Sequence, residues 1–166
     1  VQDAGVQFIS KVTSMTRRSL ILLALLLSNG AAFATGERGT PDEAKALALK
    51  AAALIEAQGD KAFDIINDRT GSLVDRDLYI TVIDRQGVMR ASGFNKNLVG
   101  TNTWDAEDPD GTKFVQEFWK AVANDSKEGW LTYKFVDPMT KKIAKKRAYL
   151  RQVGDYVLTC GSYIGG

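Results

Sequence analysis

The chain has no histidine, one cysteine and three prolines in 166 residues. Without histidine, the commonest zinc, haem and Ser-His catalytic arrangements are excluded. The lone Cys160 cannot form an intramolecular disulfide. It sits in an apolar strand-like run with no histidine to activate it, so it reads as a buried structural thiol. No Gly-x-Ser-x-Gly elbow occurs, and no carboxylate pair has a spacing that assigns an acid and a base. Asp105–Gly111 looks superficially like a calcium loop. That pattern needs glycine sixth and glutamate twelfth, whereas this chain puts Asp110 and Gln116 there. The expectation is a protein that is not an enzyme and needs no metal or cofactor.

Excess charge of either sign is also lacking. The formal net charge is +2, and residues 1–34 hold Lys11, Arg17 and Arg18 against Asp3. Without them, 22 less 3 basic and 20 less 1 acidic side chains leave 19 of each sign. A neutral remainder gives no support to nucleic acid as a partner.

What is present at the start is an address. Arg17-Arg18 precede the apolar run Leu20–Leu27, Ser28-Asn29-Gly30 breaks it, and Ala32-Phe33-Ala34 supplies small residues in an A-x-A pattern. That is the layout of a secretory signal peptide with cleavage after Ala34, and it predicts a periplasmic or secreted protein. A retained membrane anchor is the alternative, disfavoured because a spanning helix needs roughly 20 apolar residues. Residues 1–14 read as upstream of a start at Met15, which leaves 35–166 as one domain.

Thr40-Pro41-Asp42-Glu43 predicts a helix start, with threonine at the N-cap, proline first in the helix and a capping-box glutamate. Ala44, Leu47, Ala48, Ala51, Leu54 and Ile55 recur at helical spacing to a stop at Gly59. A second short helix is expected from Asp60 to about Asn67. The period then changes to that of a strand over Leu78–Asp84, and Asp84-x-x-Gly87 turns it into a partner over Val88–Ser92. Gly93–Asp110 is a long connection of the kind that forms lids or binding loops. A helix over Gly111–Asn124 follows, capped by Asp108 or Asp110. Strands over Trp130–Val136, Ala144–Val153 and Tyr156–Ile164 complete an α+β fold. Its sheet is five-stranded and mainly antiparallel, with a long N-terminal helix and a helix between strands 2 and 3.

The run Gly129–Pro138 and its answer Lys146-Arg147-Ala148-Tyr149 carry rings and cations where a half-buried strand normally holds Thr or Val. Tyr133 and Phe135 share a face, and one of Lys146 and Arg147 must look the same way. Rings with a phenolic hydroxyl plus a buried cation suit a small carboxylate. A sheet face packed on helices fits the same residues equally well. Lys141 and Lys142 read as a solvated hairpin tip that discourages strand pairing.

These pieces, in order, resemble the extracytoplasmic single Cache domains, type 2, of bacterial chemoreceptors and sensor kinases. The likeness covers roughly residues 41–164. It rests on Leu78–Asp84 with Gly87, on Leu98-Val99-Gly100-x-Asn102 and on Trp104-Asp105-x-x-Asp108-Pro109-Asp110-Gly111 with Phe114-Val115. It continues through Gly129-Trp130-x-x-Tyr133-x-Phe135, Pro138, Lys146-x-x-Tyr149 and Gly161-Ser162-Tyr163. The resemblance implies a PAS-like sheet and a sensor of small organic acids such as acetate, propionate, pyruvate or lactate. It places Tyr133, Phe135, Lys146 and Tyr149 in ligand-facing motifs, with Arg90, Ser92 and Trp104 in the adjoining strand and lid. Lys146 with Arg90 would hold the anion, Tyr133 and Tyr149 would donate hydrogen bonds, and Trp104 and Phe135 would form walls. Ser92 stands near where many members carry histidine, and Phe135 where many carry tryptophan, so ligand identity does not transfer. A receptor would continue beyond Tyr163 into a membrane helix, which leads to the expectation of a free-standing periplasmic domain or a receptor fragment. The partners expected are a small carboxylate and either a membrane receptor or a second copy of the chain.

Overall fold

A computed structural model describes residues 37–164. The signal-peptide expectation for residues 1–34 lies outside the described residues.

Helix α1 spans Pro41–Gln58 and begins with the expected capping box. Thr40 Oγ1 accepts from Glu43 N at 3.2 Å, and Glu43 Oε2 accepts from Thr40 N at 2.8 Å. Each bond satisfies a backbone donor that the first helical turn leaves without a partner. Thr40→Ala is therefore expected to cost about 1 kcal/mol, measured by denaturant titration. The buried face of α1 is Ala44, Ala48, Ala51, Ala52 and Ile55, small side chains that let the helix lie close on the sheet. Gly59 ends α1, and a 3-10 turn over Gly59–Lys61 runs into α2, Ala62–Asn67, which buries Phe63 and Ile66.

The strand expected over Leu78–Asp84 is divided at Ile80 because its two halves have different partners. Strands β1 (Val74–Asp75) and β2 (Leu78–Tyr79) form a small hairpin that the sequence did not announce. Strand β3 (Thr81–Asp84) pairs with β4 (Met89–Ser92) on one side and with β7 (Tyr156–Ile164) on the other. With β5 (Glu128–Val136) and β6 (Ile143–Val153) these make a five-stranded antiparallel sheet in the order β4-β3-β7-β6-β5. In the β3–β4 turn, Asp84 Oδ1 accepts from the N–H groups of Gln86 and Val88 at 3.0 and 2.9 Å. Gly87 follows with φ 81°, and a Cβ there would lie 2.6 Å from Trp104 Cβ, so only glycine fits.

Two apolar clusters sit on the two faces of the sheet. Helices α1 and α2 cover the first, with Ile80, Val82, Tyr149, Leu158 and Cys160 rising from the strands to meet them. Helix α3 (Phe114–Ala121) covers the second, burying Val115 and Phe118 against Ile83, Tyr133, Ala148, Leu150 and Val157. Helix α3 is shorter than the expected Gly111–Asn124, and neither Asp108 nor Asp110 caps it. Lys113 holds the cap position without a side-chain bond. Asp108 is engaged elsewhere: Oδ1 accepts from Asp110 N and Thr112 N, and Oδ2 from Lys134 N, all at 2.9 Å. It ties the loop to an N–H of the edge strand β5. The Lys134 N–H first, then that of Thr112, holds its carboxyl below the ordinary range.

Candidate functional site

Register decides which side chains meet. Tyr133 lies directly opposite Lys146, and Leu131 opposite Ala148, so these share the face beneath α3. Trp130 opposite Tyr149 and Thr132 opposite Arg147 share the other. Of the two adjacent cations, Lys146 is thus turned inward at 2% exposure, while Arg147 is exposed and stacks on Trp130 at 4.8 Å.

Between this face, α3 and the connection after β4 lies a cavity of about 250 Å³. On the liquid-water scale of about 30 Å³ per molecule, that is room for roughly eight waters or one small organic molecule. Its walls include Tyr79, Phe94, Phe114, Phe118, Tyr133 and Phe135. Phe114 stacks on Tyr133 at 5.0 Å and Tyr79 on Phe94 at 5.1 Å, so the rings hold one another in place.

Lys146 is the charged group of this box. Its Nζ stands 3.7 Å from the centre of the Tyr79 ring, 5.3 Å from Tyr163 and 5.8 Å from Phe135. No carboxylate forms a salt bridge with it among the described residues. Burial pushes its pKa down to about 8, against smaller upward pulls from Cys160 and Asp77. Asp77 is itself engaged, accepting from Gly39 N at 2.6 Å and from Arg38 at 3.3 Å. The Tyr79 and Tyr163 hydroxyls lie 3.1 Å apart, and Tyr163 donates to the Val136 carbonyl at 2.6 Å. Tyr163 has thereby committed its proton, so Tyr79 is the donor between them. The rings stabilise the cation through their faces, but they offer no oxygen to its N–H groups. The Tyr133 hydroxyl has no bonding partner among the described residues, and burial raises its pKa, keeping it a neutral donor.

Of the residues singled out by sequence, the structure brings Ser92, Tyr133, Phe135 and Lys146 together around the cavity. It leaves three outside. Tyr149 is on the opposite face beneath α1, its hydroxyl bonded to the Glu128 carboxylate and its ring 5.2 Å from Trp130. Arg90 is the extra residue of a β-bulge, since Val82 faces Ala91 while Ile83 faces Met89. Its guanidinium goes to Asp84 at 3.6 Å and Asp60 at 3.9 Å. Trp104 lines a separate open cleft with Arg85 and Trp119. Sequence reasoning passed over Tyr79, Thr81, Phe94, Phe114 and Thr159. For Tyr79 and Thr81 the signal was present, because alternation puts both on one face of a strand already identified.

A model of the family described as Single Cache domain 2 matches residues 24–165. Among solved structures, a methyl-accepting chemotaxis protein from Vibrio parahaemolyticus is similar with a TM-score of 0.61 and 23% identity, over 74% of this chain and 87% of that one. A periplasmic sensor domain of a chemotaxis protein is similar at 0.57 and 22%, over 75% and 90%. A Cache chemosensory domain, described for its recognition of carboxylic acids, is similar at 0.59 and 18%, over 90% and 99%. At these identities the likenesses establish a shared fold. No curated protein matches the chain.

Proposed function

The chain belongs to the single Cache domain 2 family of non-catalytic, ligand-binding sensor modules, and from that premise we propose that it binds a small organic acid of two to four carbons. The observation that carries this reading is the buried Lys146 ammonium, held in an aromatic box without a carboxylate partner among the described residues. A buried charge that nothing pairs is costly. A ligand carboxylate would supply the missing acceptors, in a site dry enough for the charge-assisted bond to be strong. Tyr133 would donate a second bond, and Phe114, Phe118 and Phe135 would enclose the apolar part of the acid. The carboxylic-acid recognition described for one structural neighbour is consistent with this chemistry.

The proposed setting is extracytoplasmic, which the signal-peptide layout of residues 17–34 supports. The proposed downstream partner is a membrane receptor or a second copy of the chain. A thermal-shift panel of acetate, propionate, pyruvate and lactate tests the reading. A binding acid at 100 times its Kd adds about 2.7 kcal/mol, or about 5–10 °C for a domain of this size. Silence across the whole panel would instead favour an interaction domain with a vestigial cavity.

A further inference from the structure

The cavity has a second polar feature that the binding of a carboxylate at Lys146 leaves unused. Three hydroxyl side chains stand beside one another across three strands: Ser92 on β4 opposite Thr81 on β3, and Thr81 opposite Thr159 on β7. All three line the cavity. Strands lie about 4.8 Å apart, so the row extends roughly 10 Å across the floor. Thr159 is 4% exposed, and its Oγ1 is buried without a hydrogen-bond partner among the described residues. Ser92 Oγ accepts from Asn95 N at 3.1 Å, which leaves its proton free to be donated.

Directly opposed threonines can bond each other, yet Thr81 and Thr159 do not. A floor that served packing alone would hold valine, which has the same shape and leaves nothing unsatisfied. Native proteins contain few buried polar atoms without partners, and each calls for an explanation. Here the orphan belongs to a residue that lines the cavity of the Lys146 cation. We propose that the row is a subsite for a second oxygen of the ligand, so that the acid bears a hydroxyl or carbonyl oxygen besides its carboxylate. Thr159 is the residue that reads it.

The spacing is suited to this. Lys146 lies opposite Tyr163, four residues along β7 from Thr159. Its Nζ comes within 3.7 Å of the centre of the ring of Tyr79, two residues before Thr81. The carboxylate end and the hydroxyl row therefore border one small volume. A purely apolar pocket discriminates poorly between an acid and its hydroxylated analogue. A pocket built to bond that oxygen rejects the analogue lacking it, because the protein's own polar group is then stranded.

This inference rests on the reading of Lys146 as the carboxylate site, and the test separates the two. Calorimetric titrations would compare lactate and pyruvate with propionate, and 3-hydroxybutyrate with butyrate. They would use the wild type, Thr159→Val and Thr159→Ser. In the wild type, one oxygenated acid is expected to bind at least tenfold tighter than its deoxy partner. Thr159→Val should abolish that preference while leaving the deoxy acid unchanged, and Thr159→Ser should restore it. Thr159→Val removes an orphan hydroxyl without changing shape, so its melting temperature should be no lower than that of the wild type. Equal binding of both acids by the wild type would overturn the subsite and leave the carboxylate site standing. So would a Thr159→Val that weakens both alike, the result expected of a structural water on Thr159. No binding of any acid would overturn both.

Discussion

Lys146→Met is expected to abolish the response to every small acid while leaving the acid-free protein as stable as the wild type or more so. The depression of the lysine from 10.5 to about 8 corresponds to roughly 3 kcal/mol of burial cost at neutral pH. The Tyr79 face returns up to about 2 kcal/mol as a desolvated cation–π contact. Methionine keeps the length and the contact with the ring, so the net gain is about 1–3 kcal/mol. The pH dependence has a definite sign. Between about 8 and 10.5 the unfolded chain holds a proton at Lys146 that the folded chain has released. Wild-type stability therefore rises with pH across that window relative to the variant, and the gap between them closes. Acid binding runs the other way, because the complex needs the ammonium. Affinity should fall about tenfold per pH unit above about 8. A methionine variant that melts several degrees lower and still binds acids would contradict this account.

The second large effect is expected at Arg38, far from the cavity in sequence but close to its supporting structure. Arg38 reaches Asp137 at 2.6 Å and Asp77 at 3.3 Å, and these carboxylates are 1% and 0% exposed. Burial alone would push Asp137 up. The bond from Arg38, with those from Met139 N and Thr140, outweighs it and holds the carboxyl at about 2. Arg38→Ala strands buried charge, which typically costs 3–5 kcal/mol. The guanidinium is partly exposed, so about 3 kcal/mol is expected, a fall of roughly 6–12 °C in Tm. Asp137 is depressed when folded, so its contribution is present at neutral pH and is lost as pH falls below about 4 toward about 2. The deficit of Arg38→Ala should shrink over that interval, and the double variant with Asp137→Asn should recover part of it. A loss under about 1 kcal/mol in a denaturant titration at pH 7 would show that the triad matters little.

Local chemistry made much of the fold legible. The box at Thr40–Glu43 marks the start of α1, and β5, β6 and β7 follow stretches where alternation and turn residues agree. The division at Ile80 was hidden because both halves have strand-like composition and differ only in partner. The start of α3 was obscured by Asp108, a good capping residue that bonds to β5. The cavity was half visible. Alternation demanded that one of Lys146 and Arg147 face inward, but only the pairing of Tyr133 with Lys146 settles which. The same parity separates Tyr149 from Lys146, since three residues along a strand reverse the face. The bulge at Arg90 leaves no mark in the residue types. Thr159 could not be singled out until β7 was seen to pair with β3, because nothing local distinguishes it from other strand threonines.

A crystal structure of the protein grown with lactate or pyruvate tests the central claim most directly. The account expects the acid inside the aromatic box, one carboxylate oxygen within about 3 Å of Lys146 Nζ. An acid found only at the surface, or a cavity holding water alone with Lys146 still seated on Tyr79, would contradict it.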